Sequence, residues 1–292
     1  MKQTELTFRL GLLLTLAWTS SAGAQSLSSF TATYRGGSTA LCGSTYNLRG
    51  QEPSASGKYP VFIYTVGTTE PYEHSSALAA VEEMAARGYV AATVEYDNGT
   101  FGSCSSMTAR SKCIYDGSRA TSAVGTLCAR AKADCSKGIV VAGFSQGSIM
   151  AILAKNHDSR VQAAYGLGAG VQYSIYNLRS CVANGNRALP SNRLRIINGE
   201  QDIFVGPNES SVRSQNTETT GLSCPLATSC FQSNNSGWYI IKDIQLGDLN
   251  ADHCYMRSGG CVGLLLDSTW RTGTAPWSLR TNLSWLTQFT TP

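Results

Sequence analysis

The run Gly138 to Gly147 reads GIVVAGFSQG. Its first half, Gly138 to Ala142, is short, apolar and β-branched, which suits a fully buried strand. Gln146 to Asn156 then reads as a helix, with Ile149, Ile152 and Leu153 on one inward face. No residues are left over for a loop, so the turn at Ser145 must be tight and its backbone strained. Gly143 and Gly147 flank the serine because a Cβ at either position would collide with the neighbouring strand or helix. Such a turn lifts the serine hydroxyl above the sheet. It also aims the backbone N–H of Gln146 at the place where an oxyanion would form. A bare G-x-S-x-G arises by chance in a chain rich in Gly and Ser. The strand directly before it and the helix directly after it point to Ser145 as a nucleophile.

Outward from this turn, buried strands alternate with helical stretches. That pattern predicts an α/β protein with a mainly parallel central sheet and helices on both faces. Phe30 to Tyr34 and Thr45 to Leu48 read as an edge pair. Tyr59 to Val66 (YPVFIYTV) and Tyr89 to Tyr96 read as inner strands around a helix over Ser75 to Arg87. Asp116 is placed to cap a helix reaching about Ala133. Val161 to Leu167, Leu194 to Ile197 and Trp238 to Ile241 complete the strands, and Ser278 to Phe289 is a closing helix.

A serine hydroxyl needs a base, and the chain has three histidines, His74, His157 and His253. His157 falls at the far end of the helix that starts at Gln146, where interaction with the helix dipole is the plainer reading. His74 precedes the serine and could border a pocket. His253 lies after the final strand, where a base can reach a serine at the carboxyl edge of the sheet. Its orienting acid is expected to be Asp202, which follows the strand Leu194 to Ile197 and the Gly199 turn. Glu200, Asp243, Asp248 and Asp252 are the rivals. Tyr173, Phe204 and Tyr255 are the expected substrate-binding residues, and Gly168 to Pro190 is long enough for a flap whose Tyr173, Ile175, Tyr176 and Leu178 could offer an apolar wall.

The order Ser145, Asp202, His253, each on a loop after a predicted strand, resembles the α/β-hydrolase superfamily from roughly Tyr59 onward. Ile196 to Asp202 is similar to the acid loop of dienelactone-hydrolase-like esterases. Gly143 to Ser148 resembles the elbow of cutinases, although Asp202 lacks the flanking cysteines of that family. The resemblance implies an α/β-hydrolase fold and a serine carboxylic-ester hydrolase that uses neither cofactor nor metal. It also implies a second oxyanion donor in Gly67-Thr68-Thr69-Glu70, with Thr68 preferred and Thr69 the alternative. A peptidase or amidase, a polyester depolymerase, and a non-catalytic binding protein on the same fold are the competing functions.

Lys2, Arg9, the apolar run Leu10 to Trp18 and Ala22-Gly23-Ala24 read as a secretion signal over residues 1–24. Residues 25–292 are then one catalytic domain, secreted to the extracellular space or periplasm and monomeric, with no later membrane span. The net charge of +4, without a Lys/Arg cluster, argues against a nucleic-acid partner. The substrate is expected to be a small or polymeric ester. Ten cysteines in an exported chain favour disulfides over zinc, because no C-x-x-C pair is present. Loop spacing suggests Cys104–Cys113, Cys128–Cys135, Cys224–Cys230 and Cys254–Cys261, with Cys42–Cys181 left over. Sequons at Asn98, Asn208, Asn234 and Asn282 would matter only in a eukaryotic secretory pathway.

Overall fold

The computed structural model describes residues 25–39 and 41–291. The expected secretion signal lies outside them. Continuous apolar runs make the inner strands: β3 (Val61–Thr65), β4 (Val90–Val94) and β5 (Ile139–Phe144) are buried at every position. A strand buried on both faces needs cover on both faces. Two groups of helices supply it. The first comprises α1 (Ser75–Ala86), α7 (Ser268–Thr272) and α8 (Leu279–Thr287); the second comprises α2 (Cys104–Tyr115), α3 (Ala123–Cys128) and α4 (Gln146–Leu153).

The nine-stranded sheet also takes in β1 (Leu27–Gly36), β2 (Ser44–Pro53), β6 (Val161–Leu167), β9 (Leu194–Gly199), β10 (Ser229–Phe231) and β11 (Gly237–Ile241). Its order is β1-β2-β4-β3-β5-β6-β9-β11-β10. From β4 to β11 all neighbours are parallel; β1–β2, β2–β4 and β10–β11 are antiparallel. The chain leaves β3 toward β4 and later returns to β5 on its other side. A crevice at the carboxyl ends of β3 and β5 is where such a reversal places ligands. A short hairpin, β7 (Gln172–Tyr173) with β8 (Tyr176–Asn177), and α5 (Arg179–Val182) follow β6. The last helix to be placed, α6 (Glu209–Thr220), packs on β9 and β11.

The region between β4 and β5 differs from expectation. No helix runs from Asp116 to Ala133. Helix α2 ends at Tyr115, and Asp116 closes it, its Oδ1 accepting the Ser118 N–H at 3.1 Å. Ser122 caps the short α3. Helix α2 was hidden because its buried stripe includes Arg110 and Ser111 among Met107, Ile114 and Tyr115.

This helix also overturns two cysteine pairings. Cys104 and Cys113 sit at its two ends, separated by about 13 Å of helical rise, far beyond disulfide reach. Cys104 pairs with Cys181 and Cys113 with Cys42. Cys128–Cys135, Cys224–Cys230 and Cys254–Cys261 form as expected, so all ten cysteines are bonded. Among the described residues no helix is long and apolar enough to cross a membrane.

Candidate active site

Ser145 joins β5 to α4 with φ of 52°, a left-handed conformation that costs a non-glycine residue roughly 1–3 kcal/mol. Its neighbours hold it there. The Ser145 N–H donates to Leu167 O of β6 at 2.8 Å, and the Thr65 hydroxyl donates to Gly147 O at 2.7 Å. A Cβ on Gly143 would lie 2.2 Å from Gly147 O, and one on Gly147 would lie 2.1 Å from Thr65 O. Both glycines are therefore obligatory. The Gln146 N–H opens α4, ahead of any intrahelical acceptor. Its side chain is turned away, donating to Thr100 O at 2.7 Å and accepting from the Tyr96 hydroxyl at 3.2 Å. Gln146 is fully buried, and its backbone N–H has no partner among the described residues.

Asp202 is fully buried beyond β9. Its Oδ2 accepts from His253 Nδ1 at 2.7 Å, while Oδ1 accepts the N–H groups of Phe204 and Val205 at 3.2 and 3.1 Å. A carboxylate fixed on three donors holds Nδ1 protonated and leaves Nε2 as the basic nitrogen. The ring packs 4.9 Å from both Phe144 and Phe204, centroid to centroid. Gly168 forms the remaining wall; a Cβ there would stand 2.6 Å from Cε1 of the imidazole.

The rival acids have other partners. Asp243 accepts the Ala251 N–H at 2.7 Å, and Asp248 the Gly259 N–H at 2.6 Å. Asp252 accepts from the N–H groups of Cys254 and Cys261 at 2.7 and 3.0 Å. Together with the Cys254–Cys261 bridge, these three brace the loop that carries His253. Glu200 pairs with Lys242. Asp252, Cys254 and Cys261 lie close enough together to suggest a metal site, but both sulfurs are already bonded to each other.

His74 caps α1, its Nδ1 accepting the Ser76 N–H at 3.3 Å, and does not line the cleft. His157 lies past the end of α4, where burial holds its pKa below the usual value and Nε2 has no partner among the described residues.

Ser145 and His253 share one cleft of about 490 Å³ at the carboxyl edge of the sheet. Tyr173 and Phe204 line it as expected, joined by Phe101, Phe144 and Tyr176. Phe101 lies 4.6 Å from Tyr173 and 5.4 Å from Tyr176 between ring centroids, so the β7–β8 hairpin and the loop after β4 make one aromatic wall. The Tyr173 hydroxyl donates to Gly168 O, and burial raises its pKa, which keeps that donor protonated. Tyr255 is a correction. It is wholly buried beneath the cleft, its hydroxyl 3.4 Å from Ile197 O, because a large ring beside His253 fills the core rather than the opening. Tyr176 belongs to the apolar wall that the flap segment offered, whereas Phe101 carried no sequence signal, since it reaches the cleft from a loop far from the elbow.

Thr68 and Thr69, after β3, also line the cleft. The Thr69 N–H is engaged with Asn98 O at 2.9 Å, whereas that of Thr68 has no partner among the described residues. Thr68 is thus the available donor. Glu70 Oε2 accepts the Gly67 N–H at 2.8 Å, and Asn98 Nδ2 donates to the carbonyls of Gly67 and Glu70, each at 2.7 Å. Glu70 is also ion-paired with Arg257 at the cleft wall. These contacts hold the turn in one shape.

No family model matches the chain, and no curated protein matches it. Among solved structures, it is similar to a hypothetical protein, PA2218, from Pseudomonas aeruginosa. That match has a TM-score of 0.39 and 19% identity over 61% of this chain and 52% of that chain. A likeness at this level, spanning about half of the other protein, assigns neither a fold family nor an activity.

Proposed function

We propose that this protein is a secreted serine carboxylic-ester hydrolase of the α/β-hydrolase fold. One observation carries the reading: a buried carboxylate orients an imidazole in the same cleft as a serine held at positive φ. The strand–serine–helix turn, the donor loop after β3 and the chain order Ser, Asp, His all agree with that family. Five disulfides support an oxidising destination.

In the first half-reaction Ser145 Oγ attacks the ester carbonyl carbon, and His253 Nε2 takes the hydroxyl proton. Asp202 stabilises the imidazolium. The carbonyl oxygen becomes an oxyanion facing the N–H groups of Gln146 and Thr68. Loss of one such donor typically costs about 3 kcal/mol of transition-state stabilisation. Collapse breaks the C–O bond, and the alcohol leaves with the proton from Nε2. Water then enters, His253 takes its proton, and the acid departs as Ser145 recovers its own. The aromatic wall favours a flat or short apolar group beside the scissile bond.

The test is Ser145→Ala with p-nitrophenyl acetate and a fluorophosphonate probe. Wild type should turn over the ester and label once, at Ser145; the variant should fold, lose both and keep its Tm. Ester turnover that survives in the variant, or an unlabelled wild type, refutes the proposal. Faster cleavage of a matched anilide than of the ester would reassign it as an amidase.

A further inference from the structure

A second cavity, of about 740 Å³, opens where β9 begins, at the opposite edge of the sheet from Ser145. Arg195 forms part of its lining, some four residues, or about 13 Å of strand, before the Gly199 turn. The rings of Phe231 and Trp285 wall it, 4.8 and 5.9 Å from the Arg195 guanidinium carbon. Asn235, Thr281 and Ser284 add polar side chains, and Arg87 and Arg280 stand at its border.

Arg195 is only 4% exposed, yet among the described residues no carboxylate pairs with it. Its Nη2 donates to Pro276 O at 2.9 Å, but Nε has no partner among the described residues. Burial lowers its pKa to about 10. Among the described residues no acidic one lines the cavity. The nearby carboxylates, Glu82 and Glu83, are already shared among three guanidinium groups, those of Arg87, Arg271 and Arg280. A buried cation without a counter-charge is costly, and a guanidinium fork matches an oxyanion through two parallel hydrogen bonds.

We infer that this cavity is a binding site for an oxyanion carried on a sugar-sized polar body. The anion would sit on Arg195 and Arg280, and the body would lie against Trp285 and Phe231 within reach of Asn235 and Ser284. The volume is far larger than a lone phosphate requires, and the hydroxyl and amide groups suit a polyhydroxylated partner. A carboxylate and a phosphate ester present the same chemistry to the two arginines.

Isothermal titration of the mature protein with glucuronate, glucose 6-phosphate, inorganic phosphate and glucose tests this. The site predicts saturable binding of glucuronate or glucose 6-phosphate, with the tighter of the two naming the anion. Glucose should bind at least about tenfold more weakly, the loss expected when charge-assisted hydrogen bonds are removed. Arg280→Ala, at the half-exposed border, and Arg195→Met should each weaken binding by about the same factor. Arg280→Ala decides the matter should Arg195→Met fail to fold, and its ester turnover should be unchanged. No saturable binding of either anionic sugar, equal binding of glucose, or undiminished affinity in Arg280→Ala would overturn the inference.

Discussion

Asp202→Asn is the sharpest perturbation of the proposed mechanism. The Asp202 carboxylate divides its work, with Oδ1 accepting two backbone N–H groups and Oδ2 accepting from His253. Asparagine fits the same buried space. Only its oxygen can satisfy Phe204 and Val205, so its NH₂ must turn toward His253 Nδ1. An N–H facing Nδ1 requires that nitrogen to be the acceptor, which moves the ring proton to Nε2. The imidazole then presents a donor to Ser145 and cannot take its proton. In another serine hydrolase this swap costs about 10⁴ in kcat, or about 5.4 kcal/mol at roughly 1.36 kcal/mol per decade. We expect a similar loss of p-nitrophenyl acetate turnover here, with KM and Tm nearly unchanged. Asp252→Asn is the control, because Asp252 adjoins the histidine but bonds only backbone N–H groups. It should cost far less. If Asp202→Asn kept turnover within tenfold of wild type, or if Asp252→Asn proved the more damaging, the assignment of the acid would fail.

Gly168→Ala should push the His253 ring aside, since the new methyl would stand 2.6 Å from Cε1; a displacement of about 1 Å predicts a kcat loss near a hundredfold with the fold retained, and normal kinetics would refute the packing. Removing the Cys104–Cys181 bridge with paired serines opens a loop of 77 residues, worth about 4 kcal/mol on chain entropy. Thermal unfolding should show the loss, and KM should rise as the nearby β7–β8 hairpin loosens. His157 has its folded pKa lowered by burial, so its contribution to stability is present above about pH 6.5 and is lost as pH falls through the depressed folded value. His157→Gln should flatten the decline of Tm between neutral and mildly acidic pH; an unaltered slope would place that decline elsewhere.

The parts of the fold that were readable share one property, a pattern complete within a few residues. Val61–Thr65 and Ile139–Phe144 are apolar at nearly every position because both of their faces are covered, so each announces itself as a buried strand. Helix α6 does not: of its twelve residues only Val212 is a buried apolar side chain. It is held by its Asn208 cap, by Gly221 at its end and by packing on β9 and β11. Periodicity cannot reveal such a helix. The same limit explains Tyr255, whose position beside His253 suggested the cleft although its ring points into the core.

Asn282 makes a similar point about the sequons. It is fully buried in α8, where its amide donates to Ser278 O at 2.7 Å, so a tripeptide that reads as a modification site is closed by its surroundings.

By itself, then, the order of residues determined the turn at Ser145, the α/β class, the pairing of cysteines across three short loops, and the choice of Asp202 as the partner of His253. Each follows from sterics or spacing that act over short stretches or from chain order relative to strands. Tertiary structure alone decided that Cys104 meets Cys181 and Cys42 meets Cys113, that Phe101 walls the cleft, and that Arg195 is buried without a carboxylate among the described residues. Those contacts join segments up to 90 residues apart, and what brings them together is the order of strands in the sheet, which no local pattern encodes.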